Sequence, residues 1–150
     1  MSFTLRFLAT DPRELDFSAL SRALMAADGR YRLLANPRAM RTEAQLRYGQ
    51  SNLASLSLRP AEASRELFDE VVAQIREESP GHEGEHVIRR IVSTRWVLLV
   101  ELLGSGIHAE ATLERLDPLV SWVMAERMGM LWVEGEGFYD ASGPLLPLGW

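Results

Sequence analysis

The sequence predicts an α+β protein, in which a mainly antiparallel sheet of five to seven strands carries three principal helices, packed mostly on one face as a two-layer sandwich. Residues 41–59 alternate between apolar and polar side chains, which is typical of a hairpin with one face in water. Three other segments repeat apolar residues at helical spacing. Strand–helix–strand order near both ends of the chain favours a split β-α-β kernel of the ferredoxin type.

The strands are predicted from alternation and from apolar runs. Phe3, Leu5 and Phe7 alternate with polar residues and indicate a first strand. Further strands are expected at residues 31–34, in the hairpin, at residues 95–103 as a central strand covered on both faces, and at residues 131–133. The tail from Gly135 has four glycines and two prolines, which favours loops there.

The three helices are predicted from their apolar stripes and end signals. Asp16 is expected to cap the first, which stops near Gly29. Pro60 suits the first turn of the second, which Ser79-Pro80-Gly81 ends. The third runs from about residue 109 to 128, where Pro118 either kinks the helix or restarts it behind a new cap.

Composition excludes several classes of function. All 16 basic residues are arginine, and the chain has no cysteine. Disulfides, thiolate nucleophiles, lysine Schiff bases and Walker-type phosphate loops are therefore excluded. The net charge of −5 argues against a dedicated nucleic-acid binder. Residues 1–59 carry nine arginines and five acidic residues, whereas residues 60–150 carry seven arginines and sixteen acidic residues.

The segment His82-Glu83-Gly84-Glu85-His86 matches the H-E-x-x-H pattern of zinc hydrolases. That chemistry needs both histidines on one side of a helix, with the glutamate as general base. Pro80-Gly81 and Gly84 argue against a helix here, so a polar surface loop is the favoured interpretation. Zinc-dependent hydrolysis through His82, Glu83 and His86 is retained as an alternative.

The segment Gly104-Ser105-Gly106 precedes the third predicted helix. Glycines at that place let a phosphate approach the free N–H groups of a helix N-terminus. The short remaining chain disfavours a dinucleotide fold, so a tight turn is the favoured interpretation. Nucleotide or anion binding at Gly104-Ser105-Gly106 is a second alternative.

Carboxylates and aromatic rings alternate near the end of the chain. If the last clear strand continues past residue 133, Trp132, Glu134, Glu136 and Phe138 share one face, with Tyr139 beside them. Such a surface suits a cationic ligand or a partner's arginine or lysine. We expect these five residues to form a partner-binding surface.

The sequence thus predicts one domain with no catalytic residues, bound metal or cofactor: a soluble, non-catalytic accessory or immunity-like protein that binds a protein partner through an acidic, aromatic-flanked surface. No nucleic acid or membrane is expected as a partner, and a homodimer is compatible with the tryptophans and the apolar tail. The longest apolar run, residues 96–100, is too short to span a bilayer, and the first residues lack a secretion signal, so a cytoplasmic location is expected.

Overall fold

The computed structural model describes residues 3–36, 38, 42–103 and 109–147. Along the chain its helices and strands are β1 (Thr4–Ala9), α1 (Phe17–Ala27), β2 (Tyr31–Ala35), β3 (Glu43–Tyr48), β4 (Ser51–Pro60), a 3₁₀ turn (Ala61–Ser64), α2 (Arg65–Glu78), α3 (His82–Val92), β5 (Trp96–Leu102), α4 (Ala109–Glu126), β6 (Gly129–Val133), β7 (Gly137–Asp140) and β8 (Gly143–Pro147). All strands form one antiparallel sheet, in the order β2-β3-β4-β5-β1-β6-β7-β8.

The predicted α+β class with an antiparallel sheet is confirmed, but the sheet is larger than expected, with eight strands in the described part of the chain. The tail that was predicted to be loops contains β7 and β8 instead. Gly135 and Gly143, with φ of 85° and 121°, adopt the left-handed backbone that tight hairpin turns require. The glycines of the tail therefore mark turns between strands.

The helices lie on both faces of the sheet, which corrects the expected two layers. On one face, α1 and α4 pack on a first core that includes Leu20, Leu119 and Leu98. On the other face, α2 and α3 pack on a second core that includes Ile75, Ile91 and Val97. Two helices on each face make the arrangement helix–sheet–helix.

A split β-α-β unit is present. Strands β5 and β6 both run antiparallel to β1, which lies between them, so they are parallel to each other. Helix α4 connects them. This is the arrangement expected for a ferredoxin-type kernel. The α4 helix continues past Pro118, so the proline does not end it. No helix among the described residues is long and apolar enough to cross a membrane.

The helix α3 corrects the prediction of a loop at His82–His86. Gly84 was interpreted as a helix breaker, yet it is buried and faces the end of α2. A Cβ there would collide with the carbonyl oxygen of Ser79 and crowd the Ile75 side chain. The absence of a side chain thus allows α3 to approach α2 closely, and this packing outweighs the roughly 1 kcal/mol propensity cost of glycine.

A buried carboxylate joins three parts of the chain. Asp11 is 3% exposed, and its Oδ1 accepts a hydrogen bond of 2.9 Å from the backbone N–H of Arg13. Its Oδ2 accepts from the Arg13 guanidinium at 3.0 Å and from the backbone N–H of Met128 at 3.1 Å. The backbone carbonyl oxygen of Asp11 accepts a hydrogen bond of 2.9 Å from Trp96 Nε1. Asp11 therefore connects the β1–α1 loop, the start of β6 and β5.

We expect Asp11→Asn to lower the melting temperature by several degrees at pH 7, with a smaller difference from the wild type in acid. The hydrogen bonds from Arg13 hold the pKa of Asp11 well below its ordinary value near 3.8. A lowered folded-state pKa stabilises the fold above the unfolded-state pKa, and this contribution is lost as pH falls further. Thermal melts of the variant and the wild type between pH 7 and pH ~2 measure this contribution, with Glu14→Gln at an exposed position as control. A difference in melting temperature that did not change with pH would contradict the prediction.

Candidate functional site

Among the described residues, no helix covers half of one face of the sheet. Ala44, Leu46, Ala54 and Leu56 point into the first core, so the alternate residues of β3 and β4 point to the opposite face. That opposite face is covered by α2 and α3 only over the strands from β5 to β8. The remaining half, here called the open face, consists of Gln45, Ser55, Ser57, Arg59, Leu99 and Glu101.

The open face forms the floor of a shallow cavity of about 420 Å³. The rest of its lining comes from β2 and the residue after it, from β3 and from β4, and consists of Leu34, Ala35, Asn36, Glu43, Ala44 and Leu56. The side-chain amide of Asn36 donates a hydrogen bond of 2.9 Å to Glu43, and Arg59 Nε donates one of 3.3 Å to the Ser57 hydroxyl. Most of the lining is polar, so the cavity suits a polar or charged group of a ligand or partner.

Arg6 lies where the open face meets the helix-covered half. Its guanidinium carbon is 4.9 Å from the centre of the Trp132 ring, and its side chain is 18% exposed. The closest oxygen of Glu134 is 3.7 Å from Arg6 Nη1. Burial lowers the pKa of Arg6, whereas Glu134 and Glu101 act in the opposite direction. The two carboxylates thus oppose the effect of burial on Arg6.

Glu101 and Glu134 lie on either side of β1. Thr4 is the register partner of Glu101, and its carbonyl oxygen accepts a hydrogen bond of 3.2 Å from the backbone N–H of Glu134. Both glutamates are exposed, and the Glu134 side chain retains 44% of its accessible surface. We call Glu101 and Glu134 the acidic pair.

The residues predicted to bind a partner do not form one surface. The strand does not continue past Val133, because residues 134–136 form the turn between β6 and β7. Trp132 and Phe138 are cross-strand partners, each 1% exposed, and their rings stack at 5.6 Å beneath α2 and α3. They are therefore core residues that a partner cannot reach.

The other three residues of that segment divide between the two faces. Glu134 contacts Arg6 beside the open face. Tyr139 packs against the first core, on the opposite face, and its hydroxyl donates a hydrogen bond of 3.3 Å to Glu136. Burial and the nearby Glu136 carboxylate raise the pKa of Tyr139, so its hydroxyl remains a donor. Of the five predicted residues, Glu134 alone borders the open face.

His82 and His86 are one turn apart on α3 and both are exposed, as are Glu83 and Glu85. The spacing of the zinc motif is thus realised on a helix. Among the described residues, no group of three or more His, Cys, Asp or Glu side chains is placed to hold a metal ion. The candidate phosphate-binding segment Gly104-Ser105-Gly106 lies outside the described residues, so anion binding there remains a prediction.

Sequence reasoning assigned no partner-binding role to Arg6 or Glu101. Arg6 is at a polar position of the predicted first strand, and Glu101 directly follows the apolar run of residues 96–100. A charged residue in a central strand, with another strand on each side, needs an opposite charge on the same face of the sheet. That rule was the signal available in the sequence. Strand order, which the sequence did not reveal, brings these charges together.

Comparisons of the chain with protein-family models, curated proteins and solved structures gave no match.

Proposed function

We propose that this protein is a non-catalytic accessory protein that binds a protein partner through the open face and the acidic pair. The observation that carries the proposal is the open face itself: a polar half-face that none of the described helices covers, beside two exposed carboxylates. The proposal keeps the partner-binding role expected from the sequence and keeps Glu134 in it. It replaces the buried Trp132 and Phe138 by Glu101 and the open face.

The charges favour a basic segment on the partner. Near β1, Glu101 and Glu134 lie close to Arg6 and Arg59, whereas Arg32 and Arg47 lie farther along the same face on β2 and β3. Arg6 is largely buried against Trp132 and Arg59 donates to Ser57, whereas both carboxylates of the acidic pair are exposed, so the carboxylates are the more accessible charges at this end. An arginine of the partner can donate two parallel hydrogen bonds to a carboxylate, and the serine hydroxyls offer further polar contacts.

We expect the double variant Glu101→Gln/Glu134→Gln to retain its partner at least about tenfold more weakly than the wild type, because each lost carboxylate removes a charge-assisted hydrogen bond. Affinity capture from a native extract, followed by mass spectrometry and titration with the purified partner, measures this change. The matched control is Glu70→Gln/Glu77→Gln, which removes the same charge from exposed positions of α2.

Retention of the same protein by the wild type and the α2 control, with loss from the acidic-pair variant, supports the proposal. Equal retention by all three preparations contradicts it, as does the absence of any protein that the wild type retains in stoichiometric amount. Thermal melts of the three proteins must agree within a few degrees, so that the loss reports on the surface and not on unfolding.

The helix α3 favours zinc-dependent hydrolysis as a second candidate function. Helical spacing puts His82 and His86 on the same side, as metal coordination requires, and Glu83 is the residue that would activate a bound water. Measurement of bound zinc, after the protein has been soaked in zinc and desalted, tests this candidate. We expect about one equivalent of zinc in the wild type and loss of that zinc in His86→Ala. Less than about a tenth of an equivalent contradicts the candidate.

A further inference from the structure

The two edges of the sheet differ in their ability to accept another strand. At one edge, β8 carries Pro144 and Pro147, which have no N–H to donate. At the other edge, β2 has no proline between Tyr31 and Ala35. Prolines on an edge strand block pairing with another chain, so β8 is protected and β2 is not.

The pairing of β2 with β3 determines which backbone groups of β2 face outward. The backbone N–H of Asn36 donates to Glu43 at 3.0 Å, and the N–H of Gly49 donates to the carbonyl of Arg30 at 2.9 Å. Antiparallel pairing alternates along a strand, so the even-numbered residues of β2 bond to β3. The backbone groups of Leu33 and Ala35 therefore point to the open edge.

The charge around this edge is basic, in contrast to the acidic chain as a whole. Residues 28–52 contain five arginines and two acidic residues. Asp28 forms an ion pair of 3.4 Å with Arg30, and Glu43 accepts a hydrogen bond of 2.9 Å from Asn36. The two acids can offset only two of the five arginines, so this part of the sequence keeps an excess of positive charge.

Arg32 and Arg47, on neighbouring strands, form no ion pair with any described carboxylate. Arg32 and Arg47 are register partners and lie on the same face, where like charges destabilise a strand pair. Arg47 Nε is buried and makes no hydrogen bond. The Arg32 guanidinium lies at the edge, where it donates to the carbonyls of Gly29 at 2.6 Å and Tyr31 at 2.7 Å. An anion near this pair would offset its repulsion.

We propose that β2 accepts an extended acidic segment of a partner protein as a ninth strand. The backbone of the segment would pair with Leu33 and Ala35, and its carboxylates would contact Arg32 and Arg47. The charge distinguishes this occupant from a second copy of the chain, because β2–β2 pairing would bring the arginines of both copies to one edge. Strands β3 and β4 separate β2 from β5, which carries Glu101 of the acidic pair. Ala35 and Glu101 line opposite ends of one cavity, so the strand-addition site is next to the open face but uses different residues.

A capped peptide that alternates glutamate with valine is the probe, and the same peptide with lysine in place of glutamate is its control. We expect the acidic peptide to shift the amide signals of Leu33 and Ala35 and to slow their hydrogen exchange. Ala35→Pro, which removes an outward N–H, should weaken binding about tenfold. Arg32→Gln should weaken it and reduce its salt dependence, whereas Arg22→Gln on the exposed side of α1 should not.

The acidic-pair variant separates this proposal from the proposed function. Glu101→Gln/Glu134→Gln should bind the acidic peptide as the wild type does. No shift at β2 at peptide concentrations up to about 1 mM overturns the strand-addition proposal, as does equal binding of the lysine peptide. Sedimentation experiments could show that the wild type forms a dimer and that Ala35→Pro abolishes it. That result would assign the β2 edge to a second copy of the chain and would also overturn the strand-addition proposal.

Discussion

Trp132→Ala is expected to lower the free energy of unfolding by about 3–5 kcal/mol, the range for deleting a large aromatic side chain from a core. Trp132 is 1% exposed and stacks on Phe138 beneath the helices α2 and α3. The variant also removes the ring on which Arg6 lies, leaving that guanidinium without its cation–π contact. Denaturant unfolding followed by circular dichroism measures the loss.

Trp132→Phe is the matched control, because it keeps an aromatic ring and should cost clearly less. Val92→Ala, at a position 75% exposed on α3, should change stability by less than about 0.5 kcal/mol. A Trp132→Ala variant as stable as Val92→Ala would place the indole at the surface and contradict the core described above. It would also restore the original hypothesis that this ring binds a partner.

Gly84→Ala is expected to destabilise the protein by about 1–3 kcal/mol or more, although alanine favours helices over glycine. The new methyl group would meet the carbonyl oxygen of Ser79, which belongs to the backbone and cannot rotate away as a side chain can. Helix α3 must shift from α2 to admit it, which disturbs the packing of Ile75 and Ile91 in the second core. Thermal and denaturant unfolding measure the effect.

Glu85→Ala is the control for this substitution, since it introduces alanine at an exposed position of the same helix. It should be nearly neutral. If Gly84→Ala raised stability instead, helix propensity would dominate at this position and the close approach of the two helices would be wrong.

Local sequence signals were sufficient for several elements of the fold. Asp16 caps α1 as expected, with its Oδ1 accepting from the backbone N–H of Ser18 at 2.9 Å. The alternation of residues 41–59 predicted the hairpin that β3 and β4 form. Helix α3 was missed because Gly84 is unfavourable locally and is explained only by its contact with α2, which is not visible in a window of sequence.

The candidate site was predictable only in part, because its charges come from distant parts of the chain. Glu134 stood out by its position among aromatic residues. Arg6 and Glu101 join it only through the strand order β5-β1-β6, which depends on tertiary pairing. The burial of Trp132 likewise follows from helices packing on that face, since an aromatic residue in a strand is compatible with either side.

The central position of β1 has a consequence for the way this chain acquires its structure. Leu5 pairs with Val100 on one side and with Val133 on the other, so β1 pairs only with strands that lie roughly a hundred positions later in the chain. Closure of such long loops is slow, and the apolar residues of β1 stay exposed until β5 and β6 are available. We therefore expect this domain to fold slowly and to depend on protection of β1 from aggregation.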